Sequence, residues 1–325
     1  MSLGRMELQF ARSGHVPMSF RITLVYSRPP RSCRCLHWKL LQNHHGRFSS
    51  GNVYISGEND VGDHVCVDTL MNMDLPSLKT LCLEWSNCRS WGYLAKFKWM
   101  MPTLQVFECR SEEALYLPLS CPLRHLKLIS NNEGNSETWW QSILLPFLEN
   151  PETASIDTLS IDFSKGPAFS HDEGRVADDF RVQLHNLETL VMQPYHYDSG
   201  VDLDLLQHLD MPNLKRLRLH LDDNIMIHEP VWVRMAELAS ASLELVEVTI
   251  FDEYNKIHED AREDFQRKVL DCFSNRPVLF GSELRPSDVD VTRHSAIQIT
   301  ITFEEGEMTA GAGGATVRPR RVFSS

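Results

Sequence analysis

The 325-residue chain lacks the marks of several protein classes, and each absence narrows its role. It has no Asn-x-Ser/Thr acceptor, no run approaching the ~18 apolar residues of a membrane helix, and no apolar stretch near its start of the kind that opens a secretory signal. The expectation is a soluble protein of the cytoplasm or nucleus with no membrane partner. Positive charge is in deficit: 32 Lys and Arg against 44 Asp and Glu leave a formal net charge of -12. Neutralising phosphates requires cations in excess, so nucleic acid is not an expected partner either. The eight cysteines, at 33, 35, 66, 82, 88, 109, 121 and 272, have no disulfide-framework spacing. Several fall inside strand-like segments, where a small reduced thiol packs well.

Catalytic signatures are missing as well. There is no His-Glu-x-x-His, no Gly-x-Ser-x-Gly and no Walker loop. Cys33 and Cys35 with His44 and His45 do not match the Cys-x2–4-Cys and His-x3–5-His spacings of zinc modules. Gly311-Ala-Gly-Gly314 follows no strand and precedes no helix, so it reads as a tail and not as a phosphate-binding loop. Neither metal, cofactor nor enzymatic activity is expected; an enzyme hidden on a repeat scaffold is the alternative.

What the chain does contain is a repeated pattern. Met211-Pro-Asn-Leu-Lys-Arg-Leu-Arg-Leu-His220 reads Pro-x-Leu-x-x-Leu-x-Leu, the strand half of a leucine-rich repeat. Anchor positions of the same kind stand at Leu78, Leu104, Leu123, Ile156, Leu187, Leu214 and Leu243, separated by 26, 19, 33, 31, 27 and 29 residues. The spacing is uneven. Position nine of such a repeat is usually an Asn that ties the turn; here Asn131 alone conforms, beside Ser86, Glu112, Ser164, Tyr195, Asp222 and Phe251. Each turn is therefore expected to rely on its own loop chemistry.

The predicted fold is an α/β irregular leucine-rich-repeat solenoid with a parallel concave sheet and outer helices. Residues 1–10 read as a ragged N-terminus and 11–275 as the solenoid. Within it, 11–60 form a cap or first irregular repeats, 75–251 the clearest repeats and 258–275 a capping helix. The cap region carries strand patterns at Phe20–Tyr26 and Val53–Ile55, with a short helix over Cys35–Gln42. Amphipathic runs at Trp91–Met100, Trp139–Glu149, Leu203–Leu209 and Val231–Ala239 suit the return helices. Trp139-Trp140 is expected to pack in the core, the alternative being an exposed partner contact. In the capping helix Val269, Leu270 and Phe273 are placed on the apolar side. Residues 282–303 form an extension with one strand, Ala296–Phe303, and 304–325 a disordered tail. Arg318-Pro-Arg-Arg321 in that tail is a weak nuclear-targeting pattern.

Two segments before the repeats carry a resemblance. Ala11-Arg-Ser-Gly-His-Val-Pro-Met18 resembles the Leu-x-Arg-Ser-Gly-x-x-Pro-Leu segment of basidiomycete fungal F-box proteins with irregular leucine-rich repeats. Leu40-Leu41 through Arg47-Phe48 resembles that family's Leu-Leu-x-x-His-Ser-x-Arg-Trp segment, in the same order. The resemblance spans roughly residues 8–275. It implies a substrate-recognition region of a ubiquitin-ligase subunit, binding an unidentified protein. In that family an F-box precedes the Arg-Ser-Gly segment and docks on a Skp-type linker. This chain starts after that point, so a Skp-type linker is implied only for a longer form. A truncated family product without ligase role is the alternative.

Strand alternation also names the partner-facing residues. The concave positions run Thr80, Cys82, Glu84; Val106, Glu108, Arg110; His125, Lys127, Ile129; Thr158, Ser160, Asp162; Thr189, Val191, Gln193; Arg216, Arg218, His220; Leu245, Glu247, Thr249. Arg216, Arg218 and His220 share one strand face and form a basic spot suited to a carboxylate or a phosphorylated peptide. Gln193, Glu247, His125, Lys127, Glu108 and Arg110 complete the expected contact set. The alternative is a solvated strand face balanced by neighbours such as Glu247.

Overall fold

A computed structural model describes residues 3–26, 40–57, 72, 74–86, 98–110, 121–129, 144–162, 180–193, 203, 205–222, 229–240, 242–251, 259–273, 276–281 and 297–303. Its strands are β1 (Met18–Tyr26), β2 (Phe48–Gly57), β3 (Thr80–Ser86), β4 (Val106–Cys109), β5 (His125–Ile129), β6 (Thr158–Asp162), β7 (Val182–Gln183), β8 (Thr189–Gln193), β9 (Leu209–Asp210), β10 (Arg216–Asp222), β11 (Leu245–Phe251), β12 (Val278–Gly281) and β13 (Ile297–Phe303). Among the described residues four helices accompany them: α1 (Leu3–Arg12), α2 (Leu145–Glu149), α3 (Glu229–Ser240) and α4 (Glu259–Cys272). The fold is α/β.

Eleven strands make one sheet, ordered β12-β11-β10-β8-β6-β5-β4-β3-β2-β1-β13. Every neighbouring pair is parallel. All seven repeat strands lie in it, in chain order. Each anchor residue is at most 2 % exposed, packed beneath the turn that feeds its strand.

Register explains the core. One row crosses the whole sheet through Ile299, Phe20, Gly51, Leu81, Phe107, Leu126, Leu159, Leu190, Leu217, Val246 and Val278. A second passes through Ile22, Val53, Leu83, Cys109, Leu128, Ile161, Met192, Leu219 and Val248. From Phe20 to Val246 the first row is buried, and so is the whole second row. At ~1.5–3 kcal/mol for each large apolar side chain taken from water, these rows are the main source of cohesion. Gly51 is the one position in them without a side chain, and the Phe20 ring occupies its place. A Cβ there would sit 2.8 Å from Phe20 Cε1.

Neighbouring turns are stitched by a shared device just ahead of the anchors. Thr103 Oγ1 donates to the Pro76 and Leu78 carbonyls at 2.8 and 3.0 Å, and Ser155 Oγ to the Leu123 carbonyl at 2.8 Å. Asn186 Nδ2 donates to the Ala154 carbonyl at 2.8 Å and Asn213 Nδ2 to that of His185 at 2.7 Å. Ser242 Oγ reaches Pro212 and Leu214 at 2.8 and 2.9 Å. Each donor directly precedes an anchor, and each acceptor belongs to the turn before. The expectation that every turn depends on its own loop chemistry is thus corrected for five of the seven anchors: a side chain directly before the anchor ties its turn to the one before. A backbone ladder runs alongside, as in Glu188 N to the Asp157 carbonyl at 2.8 Å and Lys215 N to that of Glu188 at 2.9 Å.

The N-terminal region departs from expectation. Residues 3–10 are not ragged, because α1 buries Met6 and Phe10, four residues apart on one helix face. Gly14, at φ 53°, turns the chain into β1. The two segments that carry the family resemblance meet here: Arg47 donates to Ser13 Oγ at 2.7 Å and to the Phe10 and Val16 carbonyls at 3.3 Å. β1 and β2 belong to the main sheet, so the region is continuous with the repeats.

Of the expected return helices, Val231–Ala239 lies within α3 and the end of Trp139–Glu149 is α2. Leu203–Leu209 instead closes in a 3-10 turn, Leu205–His208, followed by β9. Arg234 of α3 holds that turn through the Leu209 carbonyl at 2.7 Å. Trp91–Phe97, Trp139-Trp140, most of Cys35–Gln42 and the tail 304–325 lie outside the described residues. In α4 Val269 and Phe273 are buried but Leu270 is 48 % exposed, since one residue turns the helix by ~100° away from that face. The array does not stop at α4, because β12 adds a further rung to β11.

The stitching and the Gly51 gap give two expectations. Asn186→Ala and Asn213→Ala should each lower unfolding stability in urea by ~0.5–1.5 kcal/mol, the net worth of one hydrogen bond. Gly51→Ala should cost more, about 1–3 kcal/mol, by driving the Phe20 ring from its row.

Candidate functional site

The opposite face of the sheet carries the side chains that alternate with the buried rows. Its central row runs Arg21, Asn52, Cys82, Glu108, Lys127, Ser160, Val191, Arg218, Glu247 and Leu279. A flanking row runs Ser50, Thr80, Val106, His125, Thr158, Thr189, Arg216 and Leu245. Every one of these side chains is exposed or half-buried. The expected partner-facing positions therefore share one surface. Arg21, Asn52 and Tyr54 of β1 and β2 extend it; the sequence reading did not name them, although the apolar alternation of β1 could have found Arg21.

The charges on this face are organised into two clusters. On β3 to β5, Arg110 Nε donates to Glu108 Oε1 at 2.8 Å, while Glu84 and Lys127 stand 3.9 Å from Arg110 and Glu108 respectively. On β10 and β11, Arg218 pairs with Glu247. Between them Thr158, Ser160, Thr189 and Val191 are uncharged, with Asp162 at the end of β6 the one acid among them. Exposed pairs of this sort contribute ~0–1 kcal/mol each, so they orient side chains more than they stabilise the sheet.

The expected basic spot is smaller than its sequence suggests. Glu247 neutralises Arg218 across the strand pair. His220 is half-buried, and burial, reinforced by the Arg218 guanidinium, holds its pKa below the ordinary histidine value. Arg216 remains, exposed, with no acidic partner within 4.0 Å among the described residues. Gln193 and His125 lie on the same face, at the end of β8 and the start of β5.

Two residues that suggest chemistry, Cys82 and His44, are held by packing. Burial, then the nearby Glu108 carboxylate, pushes the Cys82 thiol up to about 12, so it stays protonated and is a poor nucleophile at neutral pH. His44 stacks on Phe10, with ring centroids 4.1 Å apart. No group of three His, Cys, Asp or Glu among the described residues is arranged to hold a metal ion. No helix among them is long and apolar enough to cross a membrane.

The lowered His220 and His44 pKa values fix a pH dependence. Because the folded value lies below the unfolded ~6.5, the unfolded state takes up the proton first; stability is full above that pH and declines as pH falls through the histidine range. Urea midpoints measured from pH 8 to pH 5 should decrease, and His220→Gln should flatten part of the slope. Compared with protein-family models, with curated proteins and with solved structures, the chain matches none.

Proposed function

We propose that the chain is a noncatalytic protein-interaction module whose open sheet face grips another protein. In this reading the units are irregular leucine-rich repeats, the array is a solenoid and the open face is its concave side. The region then corresponds to the substrate-recognition part of an F-box ubiquitin-ligase subunit, and a Skp-type linker belongs to a longer form carrying the F-box. The observation that supports it is the central row: ten positions in continuous register, each presenting a side chain outward on a rigid sheet. Such a ribbon suits an extended or helical partner surface.

Charge adds detail. The chain as a whole is acidic, at -12, yet its described open face balances Arg21, Arg110, Lys127, Arg216 and Arg218 against Glu84, Glu108, Asp162 and Glu247. The face therefore does not repel an acidic protein as the whole chain does. Arg216 is the point where a partner carboxylate or phosphate finds an uncompensated guanidinium.

Affinity capture from fungal lysate tests this reading with three baits. The wild-type chain should retain a prey that is lost with Arg216→Glu combined with Lys127→Glu, and kept with Lys268→Glu on the outer helix α4. Equal capture by all three baits would remove the open face from the binding role.

A further inference from the structure

The open face changes character over its last rungs, β10 to β12. In the flanking row Arg216 stands level with Leu245, and Pro277 comes next, its carbonyl accepting from Val246 N at 3.1 Å. In the central row Arg218, Glu247 and Leu279 follow one another. Pro277 and Leu279 alternate with Val278, which is level with buried Val246, so both belong to the open side. Leu279 is 55 % exposed, Pro277 is exposed and Leu245 half-buried. Three apolar side chains therefore border one another at this end. Elsewhere among the described strands the apolar residues of the face stand singly: Val106 lies between Thr80 and His125, and Ile129 beside Asp162.

The charge next to this shelf is of one sign. Glu247 engages Arg218, and Glu188, on the turn ahead of β8, is held by Lys215 Nζ at 2.6 Å. That leaves Arg216 exposed, with no acidic partner within 4.0 Å among the described residues. Its guanidinium and the shelf lie within about two strand spacings, ~10 Å, of each other. A planar guanidinium pairs with a carboxylate through two parallel hydrogen bonds, and an apolar shelf releases water when a large side chain covers it. A ligand that carries both groups gains from both contacts. The Arg110–Glu108–Lys127 cluster lacks this combination, because its charges are already shared among themselves and no apolar shelf adjoins it.

We propose that the β10–β12 end of the open face binds an extended segment of a partner protein in which an Asp or Glu stands two residues from a Leu, Ile, Met or Phe. The acidic side chain meets Arg216 and the apolar one covers Leu245, Pro277 and Leu279. Residues two apart on an extended chain point the same way about 7 Å from each other, a spacing that fits between the guanidinium and the shelf. This inference rests on the reading of the open face as a partner surface, and gives that partner a chemical signature.

The test starts from the full chain as bait for a library of random twelve-residue peptides displayed without a free C-terminus. Enriched sequences should carry the acid and the large apolar residue two positions apart, in either order. One such peptide, labelled with fluorescein and amidated at its C-terminus, should bind the wild-type chain in an anisotropy titration. Arg216→Gln and Leu279→Ser should each weaken it by about 10-fold, and Lys127→Gln should leave it unchanged. Replacing the acid of the peptide by Lys should abolish binding to the wild type and restore it to Arg216→Glu, a gain that an unfolded variant would not give.

Enrichment of another pattern, a need for a free C-terminal carboxylate, or an affinity that either Arg216→Gln or Leu279→Ser leaves unmoved would overturn the proposal. Peptides lost with Lys127→Gln alone would overturn it while keeping the open face as a binding surface. Peptides indifferent to all three substitutions would remove both readings. A dimer in light scattering that dissociates with Leu279→Ser would assign the shelf to a second copy of this chain, and the proposal would fall.

Discussion

Parallel pairing of each rung from β1 to β12 with the rung before it in the main sheet is the constraint on which this molecule rests. A parallel strand cannot return through a tight hairpin, so every unit needs a connection that leaves the sheet and comes back at the same end. At the point of return the backbone must be tied to the turn before it, or its polar groups are stranded against an apolar core. Thr103, Ser155, Asn186, Asn213 and Ser242 supply that tie. With the turns locked together, the anchors fall beneath them and the buried rows align.

The open face follows from the same register. Once Leu217 and Leu219 point into the core, Arg216, Arg218 and His220 have no choice but to point out, and the same holds on every rung. What the register does not set is whether a charge facing outward is spent on a neighbour. Glu108 is shared between Arg110 and Lys127, and Glu247 engages Arg218. The face is therefore largely neutral over distances longer than one strand spacing, and its recognition chemistry is local.

Period and alternation carried the reading of the repeats. Seven anchors and the outward residues between them could be named because a leucine two residues from another leucine has one meaning on a half-buried strand. Other parts were hidden for definite reasons. α1 buries Met6 and Phe10 but leaves Leu8 exposed, in a segment too brief for a clear helical period. β12 is four residues long and half exposed, so its pattern merges with the loop around it. Glu247 stood in the sequence as a neighbour able to balance Arg218, but that it does so depends on the β10–β11 register. The pairing of β13 with β1 joins residues nearly three hundred positions apart, and no local pattern carries such information. The ties before five anchors are Ser, Thr or Asn, residues common in any polar turn, and only the fold shows that they reach the preceding turn.

The stitching donors have a consequence for how this chain tolerates change. They sit next to the anchors, and the strands keep one continuous register although the anchor spacings differ by as many as fourteen residues. A lineage can lengthen or trim one connection without displacing the strands on either side. The same freedom makes each connection a natural place to graft a foreign peptide.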